Sequence, residues 1–175
     1  ENGLYSYKKI IPTLKEGDDR FIVTFDDDIL YPLNSLEALV TKSKEFPNDI
    51  IANRLHEIKL KNTLPDIYIN WQKNCVNEND LSFFTSGGGA LFPPNCFYKD
   101  ILDKKIFMEI CPSADDIWLN WMAKLNNKKI RYSGIDKKYT LIKTIKSGLY
   151  KKNVKQNFND VQIKRIIEKY GFPYN

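Results

Sequence analysis

The sequence predicts an α/β domain with a mixed sheet in a three-layer α/β/α arrangement, and two patterns lead to this prediction. Short apolar segments recur along the chain and are typical of buried strands, while longer segments repeat apolar residues at helical spacing. The chain has 175 residues, of which 42% are hydrophobic and 28% charged. This length and composition suit one domain with its own core. We therefore expect residues 1–175 to form a single domain.

The strand candidates are apolar runs bounded by polar or turn-forming residues. The first run, 21–25, ends in three consecutive aspartates. A buried strand that delivers polar residues at its carboxyl end is typical of open α/β sheets, where ligands bind at that edge. The polar segment 73–80 is expected to be a loop. Further strands are expected at 50–56, 67–71, 81–85, 90–92 and 129–132.

Three helices are predicted from apolar spacing and terminal signals. The first begins near Asn34 and ends before Pro47. The second follows Pro112, with Ser113 as its expected cap. The third covers 159–170, where Gly171 is expected to end it. The apolar stripe of the second helix consists of Ile117, Trp118, Trp121, Met122 and Leu125.

The formal net charge of +5 comes from a lysine excess, and arginine occurs only at positions 20, 54, 131 and 165. A dedicated nucleic-acid binder usually has a denser basic patch that contains arginine, so we expect no nucleic-acid partner. The late lysines form either a solvated surface or a surface that attracts a diphosphate or anionic lipid headgroups. These lysines are Lys128, Lys129, Lys137, Lys138, Lys143, Lys146, Lys151, Lys152 and Lys155.

Cysteine spacing and hydropathy indicate the cellular compartment in which the protein is expected. Cys75, Cys96 and Cys111 are far apart and form no CxxC motif, which predicts the reduced thiols of a cytoplasmic protein. No apolar run approaches the roughly 18 residues that a membrane span requires, and no signal peptide is evident. We expect a cytoplasmic protein, with peripheral association at the inner face of the membrane as an open alternative.

Asp26, Asp27 and Asp28 are the first candidate site. Adjacent carboxylates at the end of a buried strand repel one another, but a divalent cation among them makes the cluster favourable. In an extended segment Asp26 and Asp28 would lie on one side and Asp27 on the other. Two carboxylates could then reach one Mg²⁺ or Mn²⁺ ion. The alternative is a solvated acidic turn that ends the strand.

Asp115 and Asp116 are the second candidate site, in the first turn of the helix that follows Pro112. Acidic residues in a first turn often serve only the free amides and the helix dipole. Together with the triplet, however, the pair could supply a general base that faces a metal-bound phosphate.

Gly87, Gly88 and Gly89 form the third motif. They follow a predicted strand but lack the Lys-Ser/Thr of a P-loop, and they do not match GxGxxG. They either form a bulge or flexible turn between strands, or permit close approach of the backbone to a ligand.

The order of these motifs resembles the GT-A class of glycosyltransferases, specifically the family 2-like bacterial enzymes that build surface polysaccharides. The apolar strand followed by Asp26-Asp27-Asp28 and Tyr31-Pro32 looks like the DxD motif of that class. Ser86 with the three glycines is similar to its acceptor-side segment, and Asp115-Asp116 to the acidic motif that opens the next helix. The matching segments are 22–32, 86–94, 111–119, 126–130 and 159–162.

The resemblance implies a Rossmann-like fold and metal-dependent transfer of a sugar from a nucleotide-sugar donor to a hydroxyl group. The acceptor would be a glycan or a lipid-linked glycan, and the metal Mn²⁺ or Mg²⁺. Asp28 would bind the metal directly, and Asp26 would contact the metal or the donor ribose. Asp116 would be the base if the reaction inverts, with Asp115 orienting the acceptor; inversion and retention both stay open. The remaining donor-binding residues would be Asp27, Gly87, Gly88 and Gly89.

One departure from the class concerns the strands that hold the nucleotide base. In the class these strands precede the DxD motif, and here they do not. The chain is therefore expected to be the C-terminal, catalytic portion of a GT-A domain, with its own activity left open. A third metal ligand is expected at Asp160 rather than at His56, which is expected to be bonded locally. Among the tryptophans, which are expected in the core, Trp118 is the best candidate for sugar stacking.

Two rival functions remain. Phosphohydrolases of the haloacid dehalogenase type also combine DxD after a strand with a later acidic pair that holds Mg²⁺, although they would have Thr or Val where Leu30 stands. The other rival is a non-catalytic fragment that binds nucleotide sugars.

Overall fold

A computed structural model describes residues 3–17, 19–135, 140–141, 153 and 157–174. Its strands form one four-stranded sheet and three smaller sheets. The strands are β1 (Ile22–Thr24), β2 (Ile29–Leu30), β3 (Ile50–Ala52), β4 (Leu55–Glu57), β5 (Leu60–Lys61), β6 (Leu64–Pro65), β7 (Gln72–Cys75), β8 (Ser82–Phe84), β9 (Ala90–Phe92), β10 (Ile130–Tyr132) and β11 (Thr140–Leu141).

The central sheet has the order β1-β9-β3-β10. β9 pairs antiparallel with both β1 and β3, while β10 runs parallel to β3. The prediction of an α/β fold with a mixed sheet is therefore confirmed. The predicted strand at 50–56 is in fact two strands, because the chain leaves the central sheet after Ala52 and enters the sheet of order β7-β4-β8 at Leu55.

Five helices accompany the sheets in the described ranges. They are α1 (Ile11–Lys15), α2 (Ser35–Glu45), α3 (Lys104–Ile110), α4 (Asp115–Leu125) and α5 (Phe158–Tyr170). The three predicted helices correspond to α2, α4 and α5, and Gly171 ends α5 with a φ of 73°. Ser113 is not the cap of α4: Ala114 occupies that position, and the Ser113 hydroxyl donates to Asn153 instead.

Two other expectations about local structure are wrong. The segment 67–71 is not extended, because Tyr68–Asn70 forms a 3₁₀ turn. The segment 73–80 is not wholly a loop, because Gln72–Cys75 is a strand whose partner is β4. Polar residues are tolerated in this strand because most of its side chains are exposed.

The side chains of the central sheet alternate between two apolar clusters. Ile51 and Leu91 pack with Leu39 of α2, whereas Ile50 and Phe92 belong to the main core, which contains much of α4. This alternation follows from the two-residue period of a strand. The main core thus packs α4, whose first turn carries Asp115 and Asp116, against the central sheet, whose strand β1 leads to the aspartate triplet.

Trp118 and Trp121 are fully buried in the main core. The indole N–H of Trp118 donates to the carbonyl oxygen of Ile101 at 3.2 Å. Trp118 is therefore a core residue and presents no ring face to a sugar, which corrects the candidate stacking role. None of the helices in the described ranges has the length and apolar content needed to cross a bilayer.

Candidate functional site

The aspartate triplet does not follow the alternation of a strand, because β1 ends at Thr24 and the next residues enter a turn. Asp26 is partly buried and lines a cleft. Asp27 and Asp28 are exposed and lie outside the lining of that cleft. The structure therefore separates Asp26 from its two neighbours, and Asp28 does not share its surroundings.

Lys9 joins Asp26 to the second acidic motif. It ends the 3₁₀ turn Tyr5–Lys9, and its ammonium lies 2.8 Å from Asp26 Oδ1 and 3.2 Å from Asp115 Oδ2. Burial alone would lower the pKa of Lys9, but the negative charges of Asp115, Asp116 and Asp26 outweigh it and raise that pKa. Lys9 is therefore a fixed positive charge among three carboxylates.

Ser86 holds the acidic pair in place at the start of α4. Its backbone N–H donates to Asp116 Oδ1 at 2.7 Å, and its hydroxyl donates to Asp115 Oδ2 at 3.0 Å. Farther along α4, Asn120 makes two hydrogen bonds with the backbone of Phe84 in β8. These contacts fix the first turn of α4 against the segment that contains the glycines.

Asp115 and Asp116 differ in exposure. Asp115 is 5% exposed and bonded on one oxygen by both Lys9 and Ser86, whereas Asp116 is less buried. Burial, followed by the charge of Asp115, raises the pKa of Asp116 from 3.8 to about 6, although Lys9 and Ser86 oppose the rise. At neutral pH Asp116 is thus ionised, yet more basic than an ordinary aspartate.

Tyr31 ties the aspartate turn to the glycine segment. The backbone N–H of Asp26 donates to the Tyr31 hydroxyl oxygen at 2.9 Å, and this hydroxyl donates to the carbonyl oxygen of Gly87 at 2.8 Å. Tyr31, which belongs to the DxD-like segment, thus places its phenol against the site.

The three glycines allow the chain to pack against itself. A Cβ on Gly87 would lie 2.6 Å from Asp26 Oδ2, and one on Gly88 would lie 2.4 Å from the Cβ of Arg54. Gly89 has a φ of +92°, and its Cβ would lie 2.7 Å from a ring carbon of Phe25. The close approach is therefore to the protein's own residues, and the segment is a buried 3₁₀ turn rather than a flexible loop. Gly87 alone of the three lines the cleft.

The cleft has a volume of about 410 Å³. Asp26, Asp115 and Asp116 all line it, so the structure brings together three of the five carboxylates predicted to be catalytic or metal-binding. Sequence reasoning missed its cationic lining residues, which are Lys9, Arg54 and Lys73. No local pattern marks them, because only the fold brings these three basic residues to the same cleft.

His56 also lines the cleft. It lies in β4, where its Nδ1 accepts the backbone N–H of Asn74 at 3.5 Å. Burial lowers the pKa of His56 to about 4; a hydrogen bond with the backbone of Leu55 opposes this shift, and the charges of Arg54 and Lys73 add smaller contributions that lower the pKa further. The expected local bonding is confirmed, and the ring is neutral at physiological pH.

Asp160, the expected third metal ligand, does not line the cleft and is hydrogen-bonded to another segment. Its Oδ1 accepts the backbone N–H of Tyr68 at 2.7 Å, and the residue that lines the cleft is its neighbour Asn159. Within the described ranges, no three His, Cys, Asp or Glu side chains form a group suited to a metal ion. Of the late lysines, those from Lys137 to Lys155 lie outside the described residues.

Comparisons of the chain with protein-family models, curated proteins and solved structures give no match. Family membership is therefore not assigned, and the GT-A resemblance stays a prediction. What the geometry itself provides is a cleft in which a relatively basic carboxylate, a buried anion and fixed cations lie side by side. Such a site can remove a proton from a hydroxyl group and hold an anionic leaving group.

Proposed function

We propose that the chain carries the catalytic centre of a glycosyltransferase, which transfers a sugar from a nucleotide-sugar donor to a hydroxyl group of a glycan or lipid-linked acceptor. The observation that supports this proposal best is the meeting of Asp26, Asp115 and Asp116 around Lys9 in one cleft. Lys9, Asp26 and the pair Asp115-Asp116 are far apart in the chain, and the three carboxylates that the fold brings into one cleft repel one another, a cost that Lys9 only partly offsets.

The proposed reaction assigns the proton to Asp116. Its carboxylate accepts the proton of the acceptor hydroxyl while the hydroxyl oxygen forms a bond to the anomeric carbon of the donor sugar. The bond from that carbon to the diphosphate oxygen breaks, and the nucleoside diphosphate leaves with the electron pair. The raised pKa of Asp116 suits this role. A carboxylate with a pKa of about 6 is ionised at neutral pH and still accepts a proton more readily than an ordinary aspartate.

Asp115 would position rather than react. It is more deeply buried than Asp116 and is bonded to both Lys9 and Ser86. These bonds fix the first turn of α4, and hence the direction in which Asp116 faces the cleft.

The cations of the cleft would hold the diphosphate. Lys9, Arg54 and Lys73 line the same cavity, and basic side chains attract phosphate oxygens through charge-assisted hydrogen bonds. Lys9 supplies this charge in the midst of the carboxylates, where it also offsets their mutual repulsion.

A divalent Mn²⁺ or Mg²⁺ ion in this cleft would be held through Asp26, because Asp28, the other predicted metal ligand, lies outside the cleft lining. Such ions use one or two protein carboxylates and take their other ligands from water and phosphate. The Asp26 side chain is 31% exposed, so an ion in the cleft could reach it. When bound, the ion would neutralise charge on the departing diphosphate.

The mixed α/β sheet supports a GT-A-like, Rossmann-related fold, with the donor at the carboxyl end of β1. In this proposal the protein works in the cytoplasm, where it uses soluble nucleotide sugars. Peripheral binding to the inner face of the membrane would bring it to a lipid-linked acceptor.

The test is to incubate the protein with a panel of nucleotide sugars, with and without Mn²⁺, and to measure the released nucleoside diphosphate by liquid chromatography. We expect release from at least one donor, lost in Asp26→Asn and Asp116→Asn and retained in the control Asp19→Asn, whose side chain is 89% exposed. A parallel incubation with an aryl phosphate and Mg²⁺ separates the phosphohydrolase alternative. Robust aryl phosphate hydrolysis would contradict sugar transfer, and tight donor binding without release would leave a binding fragment.

A further inference from the structure

A second set of residues lines the cleft without carrying charge. His56, Tyr68, Asn74 and Asn159 come from β4, the Tyr68–Asn70 turn, β7 and the first turn of α5. They form one wall, because Tyr68 is hydrogen-bonded to Asp160 next to Asn159, and the rings of Tyr68 and His56 lie 6.3 Å apart. The proposed chemistry of the carboxylates does not use this wall.

Two atoms beside the cleft are buried without a hydrogen-bond partner in the described part of the chain, namely Asn159 Oδ1 and Ser6 Oγ. Asn159 is only 6% exposed, and both residues line the cleft. A buried polar atom without a partner destabilises the folded state, so folded proteins seldom keep one without a water molecule or ligand to satisfy it. The neighbouring polar residues are engaged: Gln162 accepts the N–H of Ser113, and Asp160 accepts that of Tyr68.

The chemistry of this wall suits an uncharged ligand rich in hydroxyl groups. Asn159 Oδ1 can accept a hydrogen bond from a hydroxyl group, and Ser6 Oγ can donate or accept one. Both atoms are covered in this structure, so their side chains must rotate toward the cleft to reach a ligand. The partly exposed ring of Tyr68 offers an apolar surface suited to the C–H face of a sugar. The imidazole of His56 is neutral at physiological pH and adds a polar group without charge.

We propose that this wall is a subsite for an uncharged sugar ring, with Asn159 Oδ1 accepting a hydrogen bond from one of its hydroxyl groups. The assignment of this sugar as donor or acceptor rests on the proposed function, whereas the binding of a sugar does not. Lys73 lines the cleft and is exposed, so an acidic sugar is the competing ligand.

The test is calorimetric titration of the wild type and Asn159→Ala with three groups of probes. These are UDP and GDP alone, the corresponding nucleotide sugars UDP-glucose, UDP-galactose, GDP-mannose and UDP-glucuronic acid, and oligosaccharides without phosphate. Val161→Ala, a change at an exposed position of the same helix turn, is the matched control. Circular dichroism establishes that each variant is folded.

We expect Asn159→Ala to weaken binding of a neutral nucleotide sugar or of an oligosaccharide about 5- to 10-fold, the value of one hydrogen bond. Binding of UDP or GDP should not change. Loss confined to nucleotide sugars identifies the donor sugar, and loss confined to oligosaccharides identifies the acceptor. Equal weakening of free nucleotide and nucleotide sugar, preference for UDP-glucuronic acid, or no sugar binding that depends on Asn159 would overturn the subsite. If oligosaccharide binding depends on Asn159 while no nucleotide binds, the subsite stands and the proposed function fails.

Discussion

The two acidic motifs of this chain are similar in sequence but differ in how the fold uses them. The triplet at residues 26–28 follows a strand, and only Asp26 enters the cleft, whereas both members of the pair Asp115-Asp116 line it. The difference arises from the backbone. Residues 26–28 lie in a loop where successive side chains point in different directions, whereas Ser86 is hydrogen-bonded to both Asp115 and Asp116 in the first turn of α4. Density of charge in the sequence is therefore a poorer guide to a site than rigidity of the element that carries it.

The largest effect on the rate of sugar transfer is expected when Asp116, the proposed base of the Asp115-Asp116 pair, is replaced. Asp116→Asn should lower the rate of sugar transfer about 10²- to 10⁴-fold, the usual contribution of a general base. Steady-state kinetics with saturating donor measures this loss, and Asp19→Asn is again the control. An Asp116→Asn variant that keeps the wild-type rate would remove Asp116 from the mechanism.

The next largest effect is expected at the glycines that lie between the two motifs. Gly89→Ala combines a positive φ with a Cβ 2.7 Å from Phe25, next to Asp26. The control Gly134→Ala has a φ of +80° but no atom within 4 Å of the added Cβ. We expect Gly89→Ala to reduce the free energy of unfolding by about 1–3 kcal/mol more than the control, the usual cost of overpacking. If urea denaturation shows the same decrease in the free energy of unfolding for Gly89→Ala and Gly134→Ala, the contact with Phe25 relaxes without cost.

The pH dependence of activity distinguishes Asp116 from an ordinary aspartate. Activity should rise with pH through about 6 as Asp116 loses its proton. Because Lys9 lowers the pKa of Asp116, Lys9→Met should move this limb to higher pH. The measurement is kcat as a function of pH for both proteins. If the acidic limb lies at the same pH in Lys9→Met as in the wild type, Lys9 does not affect the pKa of the base.

The same shift predicts an effect on stability. Because folding raises the pKa of Asp116, its contribution to stability is fully present below pH 3.8 and is lost as the pH rises through about 6. Asp116→Asn should therefore gain stability relative to the wild type between pH 4 and pH 7, as measured by thermal unfolding at both values.

The smallest effect is expected from the ion pair that joins the motifs. A double-mutant cycle with Lys9→Met and Asp26→Asn should give a coupling of about 1 kcal/mol in the free energy of unfolding. The exposed pair Glu16–Arg20, 3.7 Å apart, is the control and should give a coupling near zero. If the two couplings are equal, Lys9 does not link the motifs.

Periodicity predicted the elements that carry the site, namely β1, α4 and α5, because each has a clear apolar pattern. The prediction that Asp26, Asp115 and Asp116 belong to one site came instead from the chemistry of the two acidic motifs and from the family resemblance. Periodicity did not predict the separation of Asp28 from Asp26, because the point at which β1 ends is set by pairing with β9. The contacts of Lys9 and the tyrosine bridge from Asp26 to Gly87 were also missed. Such contacts join residues far apart in the chain, and no local pattern encodes them.

The most direct test of the central claim, that the two acidic motifs and Lys9 form one donor-binding centre, is ligand-induced thermal stabilisation. The wild type, Asp26→Asn and Lys9→Met would be heated with UDP, GDP, CDP and TDP, each with and without Mn²⁺. The account predicts that at least one nucleoside diphosphate raises the Tm of the wild type, with a smaller rise in both variants. No rise with any nucleotide, or an equal rise in all three proteins, would contradict it.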